Sequence, residues 1–162
     1  MPAATFDTPI GICRLSWEDY VLTGFGLPGD GSDGTSETAV PRWVDEIMRR
    51  VQSHLAGHHQ DFTDLPFAFD RVADFPKQVY QCTLLIKPGT TWSYGDIARE
   101  LGYPISTSRA VGSALGANPW PLLVPCHRVV AADGKMTGFS GPGGVETKLR
   151  LLAIEGAQLF DV

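Results

Sequence analysis

A cysteine followed directly by a histidine, Cys126-His127, is the pair in this chain whose types could do nucleophilic chemistry. A thiol attacks carbon effectively only as a thiolate, so it needs a base or a positive environment beside it. His127 and Arg128 are candidates for both. Neighbouring residues of an extended chain point to opposite faces, so His127 is expected to reach the sulfur through a turn or a bridging water. The pair closes the segment Asn118-Pro119-Trp120-Pro121-Leu122-Leu123-Val124-Pro125-Cys126-His127-Arg128-Val129, an apolar run broken by three prolines.

Other reactive types are scattered. His54 and His58 are spaced i, i+4, as a metal pair could be, but no third ligand and no C-x-x-C accompany them. They read as solvated histidines at a helix end, and no metal is expected. Cys82 falls on an apolar helical face and reads as a buried structural thiol.

The elements that must position Cys126 can be read from periodicity and punctuation. Residues 3–27 read as strands, with turns at Pro9-Ile10-Gly11 and Glu18-Asp19. Residues 28–38, rich in Gly, Asp, Ser and Thr, read as a loop. Pro41 opens a helix with the stripe Val44, Ile47, Met48, Val51 and Leu55, ending near Gly57. A short strand is expected at 65–69. From Pro76, the residues Val79, Cys82, Thr83 and Ile86 share a helical face until Pro88-Gly89. Ser93 can cap a helix through Leu101, closed by Gly102; Ser106, Thr107 or Ser108 can cap the next, to about Ala117. These two short helices make a helix-turn-helix pattern. A last helix runs from about Val145 to Ile154.

The second helix of that pair carries almost no bulk: Ala110, Gly112, Ser113, Ala114, Gly116 and Ala117. Close packing against another helix would explain this. So would entry into a narrow groove such as the DNA minor groove, about 6 Å wide. Arg109 is the one large cation at its start.

Composition bounds the rest. At 162 residues the chain suffices for one ordinary domain or two small ones sharing a core. No apolar run approaches the roughly 20 residues of a membrane helix, and the N-terminus has no basic start or long apolar core, so neither a membrane span nor a secretory signal is expected. Three widely spaced cysteines suit a reducing compartment, and the cytoplasm is the expected location. The net charge of −5 is unusual for a nucleic-acid binder. Residues 1–70 hold 4 Lys/Arg against 11 Asp/Glu, a net of −7, and residues 71–162 hold 9 against 7, a net of +2. Phosphate contacts should therefore come from the second part and be few and salt-sensitive.

Pro125-Cys126-His127-Arg128-Val129, preceded by Arg109-Ala110-Val111-Gly112 and Asn118-Pro119 and followed by Gly138-Phe139-Ser140-Gly141 and Leu151-Leu152-Ala153-Ile154-Glu155-Gly156, resembles the O6-alkylguanine-DNA alkyltransferases. The resemblance covers roughly residues 75–157. It implies single-turnover, direct-reversal DNA repair: the alkyl group leaves O6 of guanine in duplex DNA and stays on Cys126 as a thioether, with no cofactor. It assigns Cys126 as nucleophile, His127 as base through water, and Glu155 as the carboxylate that orients the imidazole. Asn118 would brace the turn between motifs, and Arg128 would anchor structure. Tyr94 would contact the DNA backbone and assist protonation of the departing guanine.

The same resemblance favours the groove for the bulk-free helix. It implies minor-groove contacts by Ala110, Ser113 and Ala117, and Arg109 filling the space left by a flipped nucleotide. The segment around Phe139 and Ser140 would close over the base, the Ser140 amide donating toward O6. Carbonyls of Cys126 and Val129 would read the exocyclic amine. Phe139 stands where a tyrosine is frequent, so a hydroxyl role there is lost. Cys126 also separates the chain from alkyltransferase-like recognition proteins, which typically carry tryptophan there. A cysteine hydrolase would leave Arg109 and the small-residue helix unexplained.

The expected architecture is α+β. Residues 1–70 form a small N-terminal lobe with a short antiparallel sheet and a helix. Residues 71–162 form a mainly helical lobe that binds double-stranded DNA and carries the alkyl transfer. The protein is expected to be a monomer in solution, able to assemble on DNA, with no membrane partner.

Overall fold

The computed structural model describes residues 2–29, 39–132 and 144–157. Strands β1 (Ala3–Thr8), β2 (Gly11–Glu18) and β3 (Val21–Gly26) form an antiparallel meander in that order. Alternation along β2 buries Cys13, Leu15 and Trp17 on one face, as a sheet covered on one side requires. Helix α1 (Arg42–Leu55) contributes the buried stripe Val44, Ile47, Met48, Val51 and Leu55 to the core. The anticipated strand at 65–69 is a single bridge between Phe67 and Leu22, followed by a 3-10 turn at Phe69–Arg71. Pro66 interrupts that apolar run, and a proline cannot donate to a ladder.

Helix α2 (Asp74–Thr83) begins two residues before Pro76, which sits in its first turn where no intrahelical donor is needed. It stops at Thr83, short of Pro88: Leu85 N–H and Ile86 N–H bond three residues back, to Cys82 and Thr83, tightening the chain out of α geometry. Ile86 still reaches the core. Strand β4 (Trp92–Ser93) lies parallel to β5 (Val129–Val130). Ser93 then starts α3 (Tyr94–Glu100) with a full capping box, its Oγ accepting from Asp96 N–H and Asp96 Oδ2 accepting from Ser93 N–H.

A 3-10 turn at Ile105–Thr107 leads into α4 (Ser108–Gly116). The expected side-chain cap is absent there, because Ser108 Oγ donates to Ile105 O and Thr107 is already in helical geometry. Helix α5 (Gly144–Ile154) closes the described chain. Among the described residues, no helix is long and apolar enough to cross a membrane.

The two halves share one apolar cluster, and Trp120 is its hinge pin. Its ring is met edge-on by Phe67, Phe69 and Tyr80, and its Nε1–H donates to Leu22 O on β3 at 3.1 Å. Phe25 N–H donates to Pro119 O at 2.9 Å, so the segment leading to Cys126 is laid along the sheet edge. Gly24 leaves room for Ser16 on β2: a Cβ there would lie 2.9 Å from Ser16 Oγ, while Pro119 O would be in ordinary contact at 3.6 Å. Trp120→Ala is therefore expected to lower unfolding free energy by about 3–5 kcal/mol in urea titrations. A loss under about 1 kcal/mol would show that Trp120 is not the joint between the halves.

Candidate active site

Cys126, His127 and Arg128 form one 3-10 turn, so the neighbours do not splay to opposite faces as in a strand. The turn is braced from both sides by Asn118. Its Nδ2 donates to Val124 O and its Oδ1 accepts from Trp120 N–H, both at 2.9 Å. Leu122, fully buried in between, is held at φ 78°. A branched residue in that region is strained, and it persists only where the surroundings fix it. Its N–H is one of the donors to the Cys126 sulfur.

Glu155 is the centre of the polar cluster, and the fold places it deliberately. It is the residue capping α5, followed by Gly156 at φ 75°. Gly156 N–H bonds to Ala153 O and Ala157 N–H to Leu152 O, a Schellman closure that favours glycine. A carboxylate at a helix C-terminus faces the negative end of the helix dipole, so its position needs compensation. The compensation is dense. Arg128 Nε donates to Oε1 at 2.9 Å and Arg128 Nη2 to Oε2 at 2.7 Å, while Arg128 Nη1 holds Ile86 O. His127 Nε2 meets Oε2 at 2.9 Å, and His54 Nε2 meets the same oxygen at 2.8 Å. Every member of the cluster is buried.

Because the carboxylate can only accept, His127 Nε2 carries the proton toward it. Nδ1 is left as the basic atom, and it has no hydrogen-bond partner among the described residues. Burial pushes the imidazole below its ordinary pKa, more than Glu155 raises it, so the resting ring is neutral. Burial alone would raise Glu155. His127, Arg128 and His54 together outweigh burial and hold the carboxyl well below the usual range.

The thiol is poised rather than ionised. Burial raises the Cys126 pKa, against hydrogen bonds from the Asn118 side chain and Leu122 N–H and the charge of Lys148. The positive group beside the sulfur is thus Lys148, and Arg128 is committed to Glu155. Lys148 is 1% exposed, and its Nζ donates to Val129 O at 2.8 Å. That bond occupies one lone pair of the carbonyl assigned above to reading guanine. Burial lowers the Lys148 pKa, and the nearby sulfur opposes the shift.

Tyr94 is half-buried at the start of α3, near enough to Cys126 to feel its charge, although burial is the larger cause of its raised pKa. Its ring lies along α4, where a Cβ on Gly112 would be 3.8 Å away. On α4, Val111, Ala114 and Leu115 point inward. Arg109, Ala110, Ser113, Gly116 and Ala117 are exposed. Small size on these positions is therefore not required by packing. Val129 is buried in β5, while Phe139 and Ser140 lie outside the described residues. A cavity of about 540 Å³ touches the site only through Pro125 and Arg128, and neither Cys126 nor Tyr94 lines it.

Three contributors escaped the sequence reading. Lys148, the single lysine of α5, was not singled out, and Leu122 was read only as part of an apolar run. His54, expected to be solvated, is fully buried against Glu155, while His58 is exposed. For His54 a signal existed: its i−3 position to Gly57 puts it in the last turn beside Val51 and Leu55, flanking the apolar stripe.

Comparison with known proteins places this geometry. Residues 74–157 match the DNA-binding domain of 6-O-methylguanine DNA methyltransferase. The chain is 37% identical, over 93% of its length and 90% of the relative, to a methylated-DNA–protein-cysteine methyltransferase of Mycolicibacterium paratuberculosis. It is 44% identical to a DNA base-flipping protein of Thermus thermophilus, covering 68% of this chain and 72% of that one. The crystal structure of Mycobacterium tuberculosis OGT in complex with DNA superposes with a TM-score of 0.79 at 35% identity, covering 96% of this chain and 93% of the other.

The cluster makes stability pH-dependent with one sign. Below about pH 6.5 the unfolded chain protonates His127, and below about 4.5 it protonates Glu155, while both folded values are lower. The unfolded state then binds more protons, so stability falls as pH falls. The slope should approach about 1.4 kcal/mol per pH unit for each such proton. Urea titrations between pH 7 and 4 should show this decline, with Glu155→Gln less steep below pH 4.5. A flat profile for the unmutated protein would contradict the assignment.

Proposed function

The chain belongs to the O6-methylguanine-DNA methyltransferase family, and from that premise we propose that it repairs O6-alkylguanine in duplex DNA by moving the alkyl group onto Cys126, once per molecule. The observation that carries this reading is the buried His127 ring. Glu155 claims its Nε2–H, and its basic Nδ1, in the same turn as the thiol, has no hydrogen-bond partner among the described residues.

In the transfer, His127 Nδ1 takes the Cys126 proton through a water, and the sulfur attacks the alkyl carbon in line. The S–C bond forms as the O6–C bond breaks, and the electron pair stays on guanine. The imidazolium is stabilised by the Glu155 carboxylate, as in other nucleophile–base–acid sets. Lys148, Asn118 and Leu122 N–H stabilise the transient thiolate. Tyr94 assists protonation of the departing guanine, and the Ser140 amide donates toward O6 beside Phe139. An alkyl thioether is inert to water even beside a general base, so the product is final. A protonated resting thiol protects a reagent that is used once.

DNA contact is assigned to α4. A face of Arg109, Ala110, Ser113, Gly116 and Ala117 is exposed and nearly flat, which suits a groove about 6 Å wide. Reaching a buried sulfur requires the damaged nucleotide to leave the stack, and Arg109 fills the gap with a planar, always-charged group. The acidic N-terminal part, residues 1–70, stays off the phosphates, and residues 71–162 form the lobe that reads DNA as a monomer. Three buried cysteines, none of them in a disulfide, suit the reducing cytoplasm as its place of work.

The test is peptide mass spectrometry after incubation with duplex DNA bearing one O6-methylguanine. One methyl on the Cys126 peptide, absent in Cys126→Ala and matched by unmodified guanine in the DNA, is the expected result. Tight binding with no mass change would identify a recognition protein and overturn the transfer.

A further inference from the structure

His54 is 101 residues before Glu155 in sequence, yet its ring is fully buried with Nε2 2.8 Å from Glu155 Oε2. The other ring nitrogen settles its protonation. Nδ1 accepts the Gln60 backbone N–H at 3.0 Å, so Nδ1 holds a lone pair and the neutral ring carries its proton on Nε2, pointing at the carboxylate. Helix α1 ends just beyond it at Leu55, and the chain turns back so that Gln60 can supply that donor. Phe62 and His59 pack around the ring at centroid distances of 5.4 and 5.9 Å. Across from His54 stand the ionisable groups Glu155, Arg128 and His127.

Glu155 Oε2 thus receives three donors, from His54, His127 and Arg128. Arg128 supplies the charge. The direction of the remaining acceptor capacity is set by His54, which approaches from a different element than the other two. An oxygen shared between two imidazole N–H groups cannot rotate toward one without losing the other.

We propose that His54 is a positioning residue for the transfer reaction: its Nε2–H fixes the Glu155 carboxylate so that His127 is held with Nδ1 unprotonated and turned to the thiol. This rests on the reading of His127 as the base. It makes the N-terminal helix α1 part of the reaction apparatus and not only a partner in stability.

The test compares unmutated protein with His54→Phe, which keeps ring packing without the donor, and His54→Gln, whose amide can restore an N–H near Nε2. Three readouts are taken: the single-turnover methyl-transfer rate from O6-methylguanine duplex between pH 6 and 9, normalised to protein that can be methylated; lesion-DNA affinity in a Cys126→Ala background; and histidine side-chain nitrogen NMR. His54→Phe should slow transfer roughly 10- to 100-fold at unchanged DNA affinity, and His127 should lose its single tautomer. His54→Gln should recover most of the rate.

Transfer by His54→Phe at the unmutated rate across the pH range overturns the proposal, as does an unchanged His127 spectrum in that variant. Should His54→Phe fail to fold, the unmutated spectrum decides, because His54 protonated on Nδ1 overturns the proposal by itself. No methyl transfer by the unmutated protein would instead sink the repair reading, a separate outcome.

Discussion

One buried carboxylate organises this protein. Glu155 gathers Arg128, His127 and His54 onto two oxygens, inside a core with almost no water-accessible surface. Burying a charge is tolerable only if its partners are complete, because removing one leaves the others uncompensated at a cost of about 3–5 kcal/mol. The same requirement that keeps the carboxylate stable also fixes the imidazole tautomer. Structural and chemical demands therefore coincide at this position, and neither can be relaxed alone.

The sulfur lives under a different balance. Burial favours the neutral thiol, and the donors around it favour the anion without prevailing. A permanently ionised cysteine would react with whatever electrophile reached it. Beside Cys126 in the turn, burial keeps the His127 imidazole neutral. The charge of Lys148 favours the thiolate while its Nζ is held on Val129 O.

Local signals were strong enough to place most elements from sequence. Ser93 with Asp96 is a capping box that needs no tertiary help, and the α1 stripe is a period that only one helix face satisfies. The motif at Cys126 was legible because its residues and those flanking it resemble a known family in order and spacing. The strand misread at 65–69 follows from apolar composition without the ladder partners that make a strand. His54 and Lys148 were opaque for a physical reason: a polar residue beside an apolar stripe looks like its solvated edge until a distant partner is known. The place of His54 beside the stripe hinted at burial, but nothing local pointed to a partner 101 positions away at Glu155. The small residues of α4 were ambiguous between packing and groove entry; Ala114 does pack inward, whereas the exposure of Ala110, Ser113, Gly116 and Ala117 removes packing as the cause for those four.

The cluster also has a history during synthesis. His54 leaves the ribosome well before Cys126 and His127, and Glu155 follows them. Chains fold from the N-terminus as they emerge, and contacts of long sequence separation form late. Until Glu155 arrives, His127 has no carboxylate to choose its tautomer and Arg128 has no counter-ion. A chain that has not yet reached Glu155 therefore holds Cys126 beside an imidazole of unfixed tautomer, and the polar cluster is completed only with the fold that buries it.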